Sequence, residues 1–154
     1  MKKQRDWLGI EPIVNRPISE GLSVEVYQVY VHSIKPGDVV RVRIIQQRCK
    51  WRQGIRLSTD GGLSDDEEGS NSNAVILWAD ERKTHKIRVT DTEGFLWVYN
   101  VWDTGLGAGP FESLSDTSCM RVTNPDSDAT VRYECSAFGI PPDFGSLIFE
   151  LKVT

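Results

Sequence analysis

The sequence predicts an all-β fold, an antiparallel β-sandwich or jelly roll of about nine strands. Apolar and polar residues alternate with a period of two along many short segments, as they do in strands that bury one face. Turn-forming residues separate these segments at intervals of roughly 8–12 residues, which is the spacing found in sandwiches and barrels. The 154 residues, 39% of them hydrophobic, are enough for one such domain with its own core.

The first three predicted strands lie before a long polar stretch. Residues 22–31 and 39–45 alternate clearly, and Pro-Gly within residues 35–38 supplies a turn between them. A short strand is expected at residues 54–57. Residues 58–73 are polar, acidic and rich in glycine. We therefore expect a long exposed loop there, mobile from residue 60 onwards.

Six further strands are predicted in the second half of the chain. The first is a short, continuous apolar run, which is typical of a strand buried on both faces. The six segments are 74–78, 86–90, 95–99, 119–123, 130–135 and 147–153. One face of each strand should build the core, because side chains alternate between the two faces. The residues expected there are Val24, Val26, Val40, Val42, Ile44, Leu77, Leu96, Val98, Phe149 and Leu151.

The chain is expected to form a single domain over residues 19–154, preceded by an N-terminal arm at residues 1–18. The basic N-terminus has no apolar run behind it, so it does not have the pattern of a secretory signal peptide. No stretch approaches the ~20 apolar residues of a membrane-spanning helix. These features predict a cytoplasmic protein without a membrane span.

The net charge of −4 argues against a nucleic-acid partner, which requires a basic surface. One segment departs from this acidic average, with an aromatic residue, Trp51, among its cations. Such a stripe suits an anionic ligand, or it is an ordinary solvated sheet face balanced by acidic neighbours. Its cations are Arg41, Arg43, Arg48, Lys50, Arg52 and Arg56.

Signatures of catalysis are weak. The cysteines Cys49, Cys119 and Cys135 are odd in number and follow no signal peptide, so they predict buried free thiols rather than a disulfide framework. Cys119 and Cys135 lie in neighbouring strand candidates and could face each other. No serine occurs in a GxSxG elbow, and no cysteine has a histidine nearby in the sequence. We therefore expect a protein that is not an enzyme.

A candidate ligand site lies where the 95–99 strand ends. Tyr99, Asn100, Trp102 and Asp103 place two aromatic rings and two oxygen-bearing side chains within five residues. The rings could stack on a sugar while the amide and the carboxylate make polar contacts. The alternative is a packed aromatic strand, followed by a turn in which Asp103 caps the backbone. Asp143 could lie beside this site if the last strand pairs with the 95–99 strand.

An acidic run in the 58–73 segment offers a second candidate site. Clustered carboxylates on a flexible loop can supply the 6–8 oxygen ligands that calcium takes. The alternative is a solvated loop without a ligand. The residues of this run are Asp60, Asp65, Asp66, Glu67 and Glu68.

Three segments, in their order along the chain, resemble the calcium-dependent, galactose-binding jelly-roll lectins of bacteria. They are IKPGDVVRVRI at 34–44, the pair AVILW and GFLWVYNVWD between 74 and 103, and DFGSLIFELKV at 143–153. The last of these also resembles the closing segment of related calcium-associated bacterial sandwich domains. The resemblance implies a jelly roll in which Asn100, Asp103 and Asp143 lie near a calcium ion beside a carbohydrate.

The sequence thus predicts a non-catalytic β-sandwich binding module, carbohydrate-binding and assisted by calcium. One alternative is a structural or protein–protein interaction domain of a larger assembly. An exposed apolar patch and self-association would favour this alternative. Another is an enzyme whose site is assembled across strands, which a deep pocket with perturbed titratable groups would favour.

Overall fold

The alternating segments form strands in the computed structural model, which describes residues 26–67, 69–106, 111–113, 118–123, 130–137 and 143–154. Only strands and their connections occur in these ranges. Nine strands have four residues or more, whereas β1 and β8 have two each, so the all-β prediction of about nine strands is confirmed. The strands are Val26–Tyr27 (β1), Tyr30–Ser33 (β2), Val39–Gln47 (β3), Arg52–Asp65 (β4), Ser70–Trp78 (β5), Thr84–Asp91 (β6), Phe95–Asp103 (β7), Glu112–Ser113 (β8), Cys119–Thr123 (β9), Val131–Ser136 (β10) and Leu147–Val153 (β11).

All described pairings are antiparallel and belong to one sheet. Its strand order is β1-β9-β10-β11-β3-β6-β4-β7-β2, with β5 added to β4 and β8 added to β7. The first and last strands of this order are consecutive in the chain, because only Gln28 and Val29 separate β1 from β2. The rings of Tyr27 and Tyr30 meet edge to face across this break, with centroids 5.1 Å apart. The sheet therefore curls until its two ends meet, giving a nearly closed, barrel-like sandwich.

The strand 22–31 was predicted as one element, and this is wrong within its described part. The chain leaves β9 after Tyr27 and joins β7 from Tyr30 onwards. A single straight strand cannot pair at both ends of the sheet, so the backbone breaks between them. Residues 22–25 lie outside the described residues, as do residues 1–18, which were predicted to be an arm.

The predicted core is confirmed for every residue that the structure describes. Nine of the ten residues are at most 6% exposed, and the tenth, Val24, lies outside the described ranges. An aromatic layer crosses the interior between the two halves of the sheet. Tyr133 stacks on Phe149 with centroids 4.5 Å apart and planes 8° apart, and Tyr30 approaches Tyr133 edge to face at 5.9 Å.

The long mobile loop predicted at residues 58–73 is wrong. Strand β4 continues to Asp65 and β5 begins at Ser70, so only a short turn lies between them. Leu63 is fully buried and Asp65 is 4% exposed. Residues 63–65 pair with β5 on one side and with β6 on the other, which fixes the backbone where mobility was expected.

Gly61 and Gly62 explain why the sequence of β4 was predicted to be a loop. A side chain at Gly61 would overlap the carbonyl oxygen of Asp91, and one at Gly62 would overlap the hydroxyl of Thr90. The pairing of β4 with β6 also shifts register between Gly62 and Leu63. Glycine therefore permits a close approach of two strands at a bulge here, rather than marking a surface turn.

A membrane-spanning helix does not occur in the described ranges, where no helix has the necessary length and apolar character.

Candidate functional site: a basic row across three strands

The ligand site predicted at the end of β7 is divided between the two faces of the sheet. Asn100 and Trp102 point inward and are 2% and 3% exposed. The Asn100 amide donates to the Ser136 carbonyl at 3.2 Å. Tyr99 and Asp103 lie on the other face of the strand, because side chains alternate. Both are partly buried, and Tyr99 packs against the edge of the core. The Tyr99 hydroxyl accepts a hydrogen bond from Arg56 at 2.9 Å, and the Asp103 carboxylate accepts one from the Gly105 backbone at 2.8 Å.

The last strand pairs with β3 and β10, so the expected pairing with β7 that would bring Asp143 to this site is wrong. Asp143 and Asn100 nevertheless both bond to Ser136. The backbone N–H of Asp143 donates to the Ser136 hydroxyl at 3.1 Å, while Asn100 bonds to the carbonyl of the same residue. The Asp143 carboxylate accepts hydrogen bonds from the Gly145 N–H and from Arg48, at 2.9 and 2.8 Å. These two donors lower the pKa of Asp143, the backbone one most.

Calcium binding at Asn100, Asp103 and Asp143 stays a prediction. Within the described ranges, no three or more His, Cys, Asp or Glu side chains are grouped so as to hold a metal ion.

The acidic run of β4 and its turn is matched by arginines. Arg82 forms ion pairs with Asp65, at 3.1 Å, and with Glu67. Arg88 pairs with Asp66 at 2.8 Å. The remaining described carboxylate, that of Asp60, accepts the backbone N–H of Glu93 at 2.9 Å, and Glu68 lies outside the described residues. The carboxylates of this run therefore stabilise the turn and its packing on β6.

The groups that catalysis most often recruits are buried or engaged. Burial raises the pKa of the Cys119 thiol to about 11 and raises that of Cys135 well above its ordinary value, so neither is a ready thiolate. All three cysteines are free thiols as predicted, but only Cys119 and Cys135 are buried, whereas Cys49 is partly exposed. His85 donates from Nε2 to the Arg82 carbonyl at 3.1 Å, and His32 shares a hydrogen bond with the Tyr133 hydroxyl.

The basic stripe predicted from the sequence is largely neutralised in the fold. Arg43 pairs with Glu150 at 2.6 Å, and Arg48 pairs with Asp143. Arg52 pairs with both Asp80 and Glu81, at 2.9 and 2.8 Å. Of the remaining members, Arg56 bonds to Tyr99 and Lys50 lies over the Trp51 ring. Arg41 is left as the cation of this stripe that has neither an ion pair nor a ring contact with a described residue.

Strand pairing places two other cations beside Arg41. Lys152 on β11 lies opposite Arg41 on β3, and Arg41 lies opposite Lys86 on β6. All three are exposed, and their outward direction follows from the buried residues that flank them along each strand. None forms an ion pair with another described residue. We call Lys152, Arg41 and Lys86 the basic row; with strands about 4.8 Å apart, it spans roughly 10 Å.

A groove of about 310 Å³ is lined by two members of this row, Arg41 and Lys86. It combines cationic donors with a carboxylate and a hydroxyl. His85, which is buried like the neighbouring Val42, has a pKa lowered from its ordinary value of 6.5 by burial and by the nearby Arg82 charge, so the imidazole is neutral at pH 7. The lining residues are Arg41, Val42, Arg43, Glu67, Thr84, His85 and Lys86.

Sequence reasoning missed the basic row because its members are far apart in the chain. The alternation that points each cation outward is visible in the sequence, and Arg41 was singled out by it. The register that aligns Lys152 and Lys86 with Arg41 exists only once β11, β3 and β6 pair.

No protein-family model, no curated protein and no solved structure matches this chain.

Proposed function

We propose that this chain is a non-catalytic binding module that holds an acidic carbohydrate on the basic row. The observation that carries the proposal is the cross-strand register of Lys152, Arg41 and Lys86. Like charges directly opposite each other on adjacent strands destabilise a sheet. No described carboxylate pairs with these three cations. An anionic ligand bound across the three strands would relieve their repulsion.

The composition of the groove favours a carbohydrate among anionic ligands. Arg41 and Lys86 can donate to a carboxylate or sulfate group. Glu67 and Thr84 supply acceptors for hydroxyl donors in the same groove. An acidic sugar carries both kinds of group, and the mixed lining matches that combination.

The charge of the remaining molecule disfavours a long polyanion. The net charge is −4, so most of the surface repels nucleic acid beyond the few contacts that the row can make. A short acidic oligosaccharide needs only the row and the groove. The states of Cys119, Cys135 and His85 described above also fit a binding role better than a chemical one.

The test is a calorimetric titration of uronate-bearing and sulfated oligosaccharides, with a neutral oligosaccharide of equal length for comparison. Arg41→Gln should weaken acidic-sugar binding by about tenfold, the loss expected for one charge-assisted contact. Lys50→Gln is the matched control, since it removes one positive charge away from the row and should leave affinity unchanged. Affinity should also fall as salt rises, because the row acts through charge.

Two results would count against the proposal. Equal losses from Arg41→Gln and Lys50→Gln would mean that general charge, rather than the row, determines binding. Tighter binding to single-stranded nucleic acid than to any acidic sugar would replace the carbohydrate with another class of ligand. Repeating the titration with calcium and with a chelator tests the calcium assistance that the lectin resemblance implies.

A further inference from the structure

Only one of the two edges of strand β5 is paired with a described strand. Its residues Ser70–Trp78 bond to β4, and no other described strand pairs with it. An edge of this kind presents a row of backbone N–H and C=O groups that can accept another strand. The edge is nine residues long, which is long for a strand left unpaired on one side.

The sequence of β5 carries none of the devices that usually prevent pairing at an edge. Its residues, SNSNAVILW, include no proline and no charged side chain. Every other described strand of five residues or more contains at least one charged residue. The irregularity in the β4–β5 pairing falls between Ser58 and Leu63, on β4, so it does not interrupt β5 itself.

We infer that β5 is an interaction edge, and that its partner is β5 of a second copy of this chain. An antiparallel pair of identical strands around a two-fold axis places the same surface on both sides of the contact. A charge at or next to the axis would lie near its own copy, which is unfavourable. A strand with no charges avoids that repulsion. Among the described strands of five residues or more, β5 is the one without a charged residue.

The apolar half of β5 fits this arrangement. Ala74, Val75, Ile76 and Trp78 are each partly exposed in the single chain, whereas Leu77 is buried. A two-fold axis at Ile76 places Ala74 opposite Trp78 and Val75 opposite Leu77 of the second copy. Apolar pairs of this kind stabilise a sheet, and their exposed area would be removed from water.

This inference is independent of the proposed carbohydrate site. The basic row lies on β11, β3 and β6, whereas the edge belongs to β5 and its neighbour β4. A chain that binds acidic sugars as a monomer would disprove only the edge inference. A dimer that ignores every sugar would disprove only the binding proposal.

Sedimentation of the full chain over a wide concentration range tests the inference. The unmodified chain should form dimers. Ile76→Glu should raise the dimer dissociation constant by about tenfold or more, since two carboxylates would then face each other across the axis. The same substitution should leave the fold of the single chain intact, because residue 76 lies opposite Arg56 on β4, whose charge can pair with a glutamate. Gln47→Glu, at an exposed position of β3 that pairs with β11 and lies away from β5, is the control and should leave the constant unchanged.

Hydrogen exchange on the unmodified chain gives a readout that needs no variant. Amides of β5 that face the free edge should exchange more slowly at concentrations where dimers form. A chain that stays monomeric at every concentration would overturn the inference. A dimer that tolerates Ile76→Glu, with unchanged exchange in β5, would place the interface elsewhere and would overturn it equally.

Discussion

At the scale of single residues, the interior of the sandwich is defined by an aromatic layer that contains a histidine. His32 shares a hydrogen bond with the Tyr133 hydroxyl, beside the Tyr30 ring at a centroid distance of 5.0 Å. Burial lowers the pKa of His32 from 6.5 to about 4 and raises that of Tyr133. Both side chains are therefore neutral at pH 7, and the tyrosine can donate to the imidazole.

This lowered pKa predicts a loss of stability in mild acid. In the unfolded chain His32 takes up a proton below its ordinary pKa of 6.5, whereas the folded chain resists protonation until about 4. The free energy of unfolding should therefore fall between pH 6.5 and 4, by at most about 3 kcal/mol. His32→Gln keeps a hydrogen-bonding partner for Tyr133 but does not titrate, so its stability should vary less over this window.

Denaturant unfolding of both proteins at several pH values checks this prediction. His85, whose pKa is also lowered, is present in both, so the difference between the two curves isolates His32. Parallel curves through the window would show that His32 is not held neutral by the fold.

Residue-level predictions from the sequence succeeded where a side chain's direction follows from alternation. Phe149 and Val98 were placed in the core because apolar residues recur at every second position, and both are fully buried. The same rule sends Trp102 inward and Asp103 outward, although both had been assigned to one site. What the sequence could not show was the covering of Trp102 by the rest of the fold, since that depends on distant residues.

At the scale of elements, the hairpin of β4 and β5 shows why composition misleads. Polar and glycine-rich residues predicted a loop, yet these residues form the ends of two paired strands. The acidic side chains form ion pairs with Arg82, just before β6, and with Arg88, within β6. Neither the arginine partners nor the close approach of β6 is local in sequence, so a local pattern could not reveal them.

The close approach at Gly61 gives a prediction for this element. Gly61→Ala should destabilise the protein by about 3 kcal/mol, at the upper end for an overpacked site, because the overlapping atom is a backbone oxygen that cannot rotate away. Gly69→Ala is the comparison. Gly69 has a positive φ of 68° but open space around it, so its replacement should cost about 1 kcal/mol. Thermal or denaturant unfolding of the two variants measures both losses. A smaller loss for Gly61→Ala than for Gly69→Ala would contradict the close approach of β4 and β6 at Gly61.

At the scale of the whole molecule, pairing between distant segments creates the features on which both proposals rest. The sequence predicted the class of fold and most strands, because alternation and turn residues are local signals. It did not predict the strand order, which brings β11, β3 and β6 side by side. The basic row depends on that order, as do the meeting of the two sheet ends at Tyr27 and Tyr30 and the single pairing of β5.

We propose that the basic row serves binding at the expense of stability, and melting temperatures of the unmodified chain and Arg41→Gln test this claim most directly. Without ligand, Arg41→Gln should melt roughly 2 °C higher, because it removes two like-charge cross-strand contacts worth about 0.5 kcal/mol each. With a saturating acidic oligosaccharide the order should reverse, since the ligand stabilises the unmodified chain more. A variant that melts no higher than the unmodified chain without ligand, and gains as much from the oligosaccharide, would contradict the claim.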